Sequence, residues 1–170
     1  VRRGVELPDP LLPSLPVFDL TTPIFALIYG SLLLAIWHLA RHPGRLLAGV
    51  EAYVLMILMR AGTLWLVPLE PPRGMIALPD PVVQLLLPHA APPPTRDLFF
   101  SGHVATAFLL FLIVQQPWLK GAMLAATLLI AAFLALQHVH YTLDLIAGPF
   151  FALGSYRAVL CLQPKGRSTS

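Results

Sequence analysis

One cysteine, Cys161, stands among the 170 residues, so neither an intramolecular disulfide nor a cysteine-rich metal site can form. Charge is also scarce. Only 11% of residues are charged, and although the formal net charge is +3 the basic residues form no run, so nucleic-acid binding has no support. No repeat is visible at any fixed period. The chain starts at Val1 and no signal peptide follows, which leaves a preceding segment as an expectation. What is abundant is apolar: 57% hydrophobic residues and a mean hydropathy of +0.76 exceed what a soluble domain of this size carries. The chain is read as an integral membrane protein. Cys161, near the end of an apolar stretch, is expected to be a buried small hydrophobe, with palmitoylation as the alternative.

Taken in order, residues 1–18 hold Arg2, Arg3, Glu6 and Asp9 among Pro8, Pro10, Pro13 and Pro16, which excludes a continuous helix. This lead-in is expected to run along a membrane surface. Residues 22–40 are almost uncharged and about 20 residues long, as a spanning helix requires. A basic turn, Arg41-His42-Pro43-Gly44-Arg45, leads to a second span over 46–69 that carries Glu51 and Arg60. Residues 70–97 contain eight prolines in twenty-eight positions, with one apolar patch, 82–87, too short to span and expected at the interface. Further spans are expected over about 98–116, 121–137 and 142–162, followed by a frayed polar tail. The predicted architecture is all-α: one membrane domain over 1–170, a bundle with five visible spans.

Lys and Arg are retained on the cytoplasmic side. In a five-span arrangement Arg41, Arg45, Lys120, Arg157, Lys165 and Arg167 share one side, with Glu51 as the only nearby acid. The other side carries Arg2, Arg3, Arg73 and Arg96 against Glu6, Asp9, Asp19, Glu70, Asp80 and Asp97, and is read as exoplasmic. His103, His140 and Asp144 all fall at that outer interface.

Ionisable groups at or inside a span cost roughly 2.5–3.5 kcal/mol for a central Arg or Asp, so they are functional by default. The densest case is Gln137-His138-Val139-His140-Tyr141-Thr142-Leu143-Asp144, set between two apolar runs. With helix from Tyr141 onward, His140 and Asp144 lie one turn apart on one face, and a carboxylate there can bond one imidazole nitrogen and orient the ring. A second acid/base group, His103, follows Ser101-Gly102 at the head of another span. Ser101 can cap that helix, Gly102 admits a close backbone approach, and its free N–H groups can hold a phosphate. Arg60 lies about ten residues, or about 15 Å, before the outer loop, with Thr63 near the same face. It reads either as a guanidinium for a phosphate diester or as a partner in an ion pair between helices. His138 and His140 could bind metal, with Asp144 and His103 the obvious further ligands, although no metal site is expected. His38, His42 and His89 read as loop or interface histidines, and Glu51 as a structural acid.

Arg60-Ala61-Gly62-Thr63, then Asp97-Leu98-Phe99-Phe100-Ser101-Gly102-His103, then His138-Val139-His140-Tyr141-Thr142-Leu143-Asp144, in that order and spacing, resemble the sphingomyelin synthase family of the type 2 phosphatidic acid phosphatase superfamily. The resemblance extends more loosely over about residues 8–156. It implies a six-span core with an outward-facing triad of His103, His140 and Asp144. It also implies transfer of a phospho-head-group, phosphocholine or phosphoethanolamine, from a glycerophospholipid donor to ceramide or a similar lipid alcohol, through a phosphohistidine and without metal or other cofactor. Arg60, Thr63, Asp97, Ser101, Gly102, His138 and Tyr141 are then the candidates for holding phosphate or substrate. The pattern departs in three places: five spans are visible rather than six, Thr95 and Arg96 replace the usual cysteine and glycine, and Phe133 and Leu134 stand where lipid phosphatases have Ser-Arg. The last departure favours a synthase. The alternatives are a lipid phosphatase or phospholipase C with water as acceptor, and a helical scaffold or lipid-binding protein.

Overall fold

The computed structural model describes residues 4–87 and 98–163. They form six helices, α1 (Thr21–Leu39), α2 (Pro43–Leu66), α3 (Pro81–Leu86), α4 (Gly102–Ile113), α5 (Pro117–Leu136) and α6 (Thr142–Leu162), preceded by a 3-10 turn at Leu12–Ser14. Proline opens α2, α3 and α5, where the missing N–H has no intrahelical partner to lose. Four helices, α1, α2, α5 and α6, have the length and hydropathy to cross a membrane. The molecule is an all-α polytopic membrane protein.

The third expected span is the exception. Its helix covers 12 residues, Gly102–Ile113, rather than the whole of 98–116, a length of about 18 Å. Val114 at its end is extended (φ −78°, ψ 135°), so the connection to α5 is made by extended chain, while 98–101 remain irregular at the other end of the helix. This short helix is the hub of the bundle, in contact with α1, α2, α5 and α6. Small residues let the others close around it. A Cβ on Gly148 of α6 would sit 3.1 Å from the Ser101 carbonyl and 3.2 Å from the Ala105 nitrogen, and Ala35, Ala48, Ala52, Ala105 and Ala152 are all buried in the same core as Met56, Phe100 and Leu109.

The outward faces carry Leu33, Leu58, Leu128 and Phe150, each more than 60% exposed, an apolar girdle suited to lipid. Cys161 is exposed as well, which corrects the expectation of burial: at this end of α6 an apolar position faces outward rather than into the core.

The proline-rich segments fold over one end of the bundle. Val5 pairs with Leu69 as an isolated parallel bridge, with Val5 N–H donating to the Pro68 carbonyl (3.0 Å) and Glu70 N–H to the Val5 carbonyl (3.2 Å). Asp9 ties the lead-in to α6 by accepting from Thr142 N–H (2.6 Å) and Thr142 Oγ1 (3.0 Å), and it also caps the 3-10 turn through the N–H groups of Leu11 and Leu12. Gln137, at the end of α5, accepts from Leu20 N–H (3.0 Å) and donates to Thr21 Oγ1 (3.0 Å) and the Ala77 carbonyl (3.3 Å). Asp80 caps α3 through Val82 and Val83 and takes the Tyr29 hydroxyl of α1 at 2.8 Å. The apolar patch expected at 82–87 is thus a short capped helix with every residue exposed.

Candidate active site

Each of the sequence candidates that falls in the described residues lies under that covered end. α5 finishes at Leu136, and the chain turns through His138 in the left-handed region (φ 55°), a conformation uncommon outside glycine. The turn sends Val139 into the core beside Ile130 and Leu134 and delivers His140 to a buried position just ahead of α6. Asp144 occupies the first turn of α6 and is wholly buried.

His140 Nδ1 stands 3.7 Å from Asp144 Oδ2. That separation is an ion-pair distance, longer than the hydrogen bond expected from the spacing. The reason is local: Asp144 Oδ2 accepts the Tyr141 N–H at 3.1 Å, so the carboxylate closes the start of its own helix while facing the ring. The facing nitrogen is Nδ1, which leaves Nε2 as the histidine's other reactive position.

α4 meets α6 through the backbone. Ser101 N–H donates to the Asp144 carbonyl at 3.1 Å, fixing the head of α4 against the carboxylate's own residue. Ser101 holds the N-cap position, but its hydroxyl makes no cap bond, which corrects the capping role expected for it. Beside it, a Cβ on Gly102 would lie 3.3 Å from an Arg60 guanidinium nitrogen, so glycine is what lets α2 lay its arginine on this helix terminus. The guanidinium also stands 5.8 Å from the Phe100 ring. Thr63 donates to the carbonyls of Arg60 (2.9 Å) and Phe99 (3.2 Å); its single hydroxyl proton serves the backbone, and Thr63 holds the 98–101 stretch rather than presenting a phosphate donor.

His103 is half-buried. Its ring packs edge-on against Phe25 of α1, with centroids 5.8 Å apart, and it lies within electrostatic reach of His140, Arg60 and Asp80. Phe25 is in the second turn of α1 and Arg60 is six residues before the end of α2, so the site sits about 6–9 Å below the ends of its neighbouring helices. It is recessed under the cover made by the lead-in and residues 67–78.

Tyr141 and His138 support rather than line this centre. The Tyr141 hydroxyl donates to the Glu70 carbonyl (3.0 Å), and His138 Nδ1 donates to the Arg73 carbonyl (3.2 Å), which anchors the segment after α2 to the motif. Both border a cleft of about 430 Å³ beneath the lead-in. Asp97 lies outside the described residues.

Four buried side-chain atoms, Ser101 Oγ, His138 Nε2, His140 Nδ1 and Asp144 Oδ1, have no hydrogen-bond partner among the described residues. An unpaired buried polar group costs about 1–3 kcal/mol. All four belong to the two motifs, so among the described residues this cost is concentrated at one end of the bundle. Sequence reasoning missed Asp9, Phe25, Tyr29, Asp80 and Glu70, whose roles arise only from long-range contacts; the polarity of Gln137 beside the histidines was the one local signal.

Protein-family comparison gives a match to the PAP2 superfamily over residues 23–158. No curated protein and no solved structure matches.

Proposed function

Because the chain belongs to the PAP2 superfamily, a group of phosphatases and phosphotransferases, we propose that it is a lipid phosphotransferase that moves a phospho-head-group, phosphocholine or phosphoethanolamine, from a glycerophospholipid to ceramide or a similar lipid alcohol. The observation that carries the reading is the buried His140–Asp144 pair at 3.7 Å, with His103 and Arg60 beside it.

In the first half-reaction Asp144 orients His140 and stabilises the positive charge that grows on its ring. Nε2 attacks phosphorus, a P–N bond forms, and the P–O bond to diacylglycerol breaks while His103 donates a proton to the departing oxygen. In the second half-reaction His103 takes the proton from the acceptor hydroxyl, that oxygen attacks phosphorus, and the P–N bond breaks to return His140. Arg60 and the N–H groups at the head of α4 offset the charge on the phosphate oxygens. Thr63, His138 and Tyr141 act through the backbone they hold. No step calls on a metal or organic cofactor. The charge asymmetry of the loops supports an exoplasmic position for the site.

Hydrolysis is the second reading, because the same centre could use water as acceptor; Phe133 and Leu134 in place of Ser-Arg favour transfer. Sealed vesicles with labelled phosphatidylcholine supplied to the exoplasmic leaflet, with and without ceramide, decide between them. Transfer predicts a ceramide-dependent labelled lipid. Free head group at the same rate in both conditions would make the enzyme a hydrolase, and no turnover of any phospholipid would overturn both readings.

A further inference from the structure

The proposed reaction makes no use of the cleft beneath the lead-in. Its volume is about 430 Å³, and it lies between Glu6 and Asp9 of the lead-in, Pro72 and Arg73 of the segment after α2, and His138 and Tyr141 of the motif. A carbonyl oxygen can only accept a hydrogen bond, so the 3.2 Å contact between His138 Nδ1 and the Arg73 carbonyl puts the ring proton on Nδ1. The neutral ring then presents a lone pair at Nε2. His138 is only 5% exposed, and its Nε2 has no hydrogen-bond partner among the described residues. A buried acceptor without a donor is costly to keep. Its backbone is also held at φ 55°, where glycine would turn the chain with less strain, so the turn alone does not call for histidine.

Charge narrows the class of donor that Nε2 lacks. Glu6 and Arg73 pair at 3.2 Å with side chains 57% and 90% exposed, and they offset each other. The hydrogen-bond partners of Asp9 are the N–H groups of Leu11, Leu12 and Thr142 and the Thr142 hydroxyl, all of them neutral. Two carboxylates against one guanidinium leave the lining one negative charge in excess. A group that is both positive and rich in N–H matches such a cleft. A primary ammonium is such a group, and a trimethylammonium is not.

Tyr141 joins the cleft to the reacting groups. It borders the cleft, follows His140 in the chain and gives its N–H to Asp144 Oδ2 at 3.1 Å, and its hydroxyl is within electrostatic reach of Asp144, Glu6 and Asp9 alike. In phosphoethanolamine one oxygen and two carbons separate phosphorus from nitrogen. A phosphate at His140 thus carries its ammonium no more than a side chain's length away.

We propose that this cleft is the ammonium subsite of the phospholipid donor, that His138 Nε2 accepts an N–H of a primary ammonium there, and that the enzyme takes phosphoethanolamine donors in preference to phosphocholine ones. The inference rests on the transfer reaction proposed above. A trimethylammonium has no N–H to give and leaves Nε2 unpaired. A site built to bond an N–H rejects the analogue lacking it more strongly than an apolar wall rejects an extra methyl group.

Two measurements on the full chain in uncharged detergent test this, one of them independent of turnover. With isotope-labelled histidine nitrogens, the His138 Nε2 resonance is identified by its loss in His138→Asn. Glycerophosphoethanolamine should shift it, glycerophosphocholine should not, and free ethanolamine should do so only at higher concentration. A shift with inorganic phosphate, equal shifts with the choline and ethanolamine compounds, or free ethanolamine binding as tightly as its glycerophospho form would overturn the assignment. The last outcome would make the cleft a site for a soluble amine.

For turnover, His138→Asn keeps a donor for the Arg73 carbonyl and a residue type at ease in the left-handed region, but it removes Nε2. It should lower kcat/KM for phosphatidylethanolamine relative to phosphatidylcholine about tenfold or more. Glu6→Gln and Arg73→Gln break the same exposed ion pair yet change the charge of the cleft in opposite directions. Glu6→Gln should raise the KM for phosphatidylethanolamine and Arg73→Gln should lower it, each by a small factor because both side chains lie in water. A merely structural pair would move both the same way. A wild-type preference for phosphatidylcholine, or an unchanged ratio in His138→Asn, would contradict the proposal. Failure of the wild-type protein to turn over any donor would count against the proposed reaction and leave the resonance shifts to decide the cleft.

Discussion

Both ends of the bundle carry a pair of histidines beside a helix boundary, and they are built on opposite terms. At one end His38 and His42 flank the turn from α1 to α2, half-buried, with ring centroids 5.3 Å apart; next to them Arg41 rests on Trp37 and Lys120 on Phe111. Their charges lie at the rim, where water and aromatic faces screen them. At the other end His138 and His140 are buried, a carboxylate is buried with them, and a lead-in and a loop are folded across the top. The first arrangement costs little. The second is retained at a cost of several unpaired polar atoms, and that difference is the physical reason to place the chemistry there.

The sharpest way to break this comparison is to remove one histidine from each end. His140→Ala and Asp144→Asn should reduce turnover to background, and His103→Ala should cost about a hundredfold to ten-thousandfold, the range of positioned acid/base groups. His42→Ala should leave activity unchanged. The readout is head-group transfer per folded molecule in detergent, and a silent His140→Ala would end the account.

Arginine offers the next contrast. Arg60→Lys keeps the charge but loses the planar two-pronged donor, and a charge-assisted bond of about 1.5–3 kcal/mol corresponds to roughly a ten- to hundredfold loss of rate. Arg41→Lys, at the other end, should be silent. If Arg60→Lys were silent too, and Arg60→Ala lowered the melting temperature more than the specific activity, Arg60 would be a structural partner between helices.

Packing separates the two ends on a smaller scale. Gly148→Val puts a side chain where the Ser101 carbonyl is 3.1 Å away, an overpacking that costs about 1–3 kcal/mol, and it moves α4 from α6 directly under the site. Gly154→Ala, six residues toward the other end of α6 and with nothing within 4 Å, should leave the melting temperature as it was. A fall for both would show α6 to be uniformly tight.

The smallest expected effect belongs to the cover. Burial pushes the Asp9 carboxyl up, but the N–H groups of Thr142, Leu12 and Leu11 and the Thr142 hydroxyl outweigh it and hold the group below its ordinary value of 3.8. A depressed folded-state value stabilises the clamp at every pH above that ordinary value, and the contribution is lost as pH falls through the lowered one. Asp9→Asn should therefore loosen the lead-in at neutral pH, seen as faster proteolysis ahead of Thr21, and should abolish the difference between neutral and strongly acidic conditions. Unchanged proteolysis at neutral pH would show that the Val5–Leu69 bridge holds the lead-in by itself.

The spans and the two motifs were legible because hydrocarbon punishes polar residues: anything ionisable at the edge of an apolar run stands out, as His103, His140, Asp144 and Arg60 do. Hydropathy could not show where α4 stops being helical, since Val114 is as apolar extended as coiled. Nor could it separate lipid-facing from core-facing positions, both apolar, and Cys161 was misplaced for that reason. The Asp9–Thr142 clamp joins residues 133 apart and the Asp80–Tyr29 contact residues 51 apart; an acid in a proline-rich loop reads as solvated until the loop is seen folded back. Thr63 and Ser101 had the right residue type at the right place, but their hydroxyls could be assigned only from the backbone around them.

The central claim is that His140 becomes covalently bonded to the head group. Rapid mixing of the protein with a labelled donor in the absence of acceptor, followed by a quench under alkaline conditions and peptide mass spectrometry, tests it directly. The account predicts one phospho-head-group adduct, on His140, that forms in His42→Ala, is absent in His140→Ala and disappears when ceramide is added. Transfer to ceramide at an undiminished rate with no adduct on His140, or with the adduct on another residue, would contradict it.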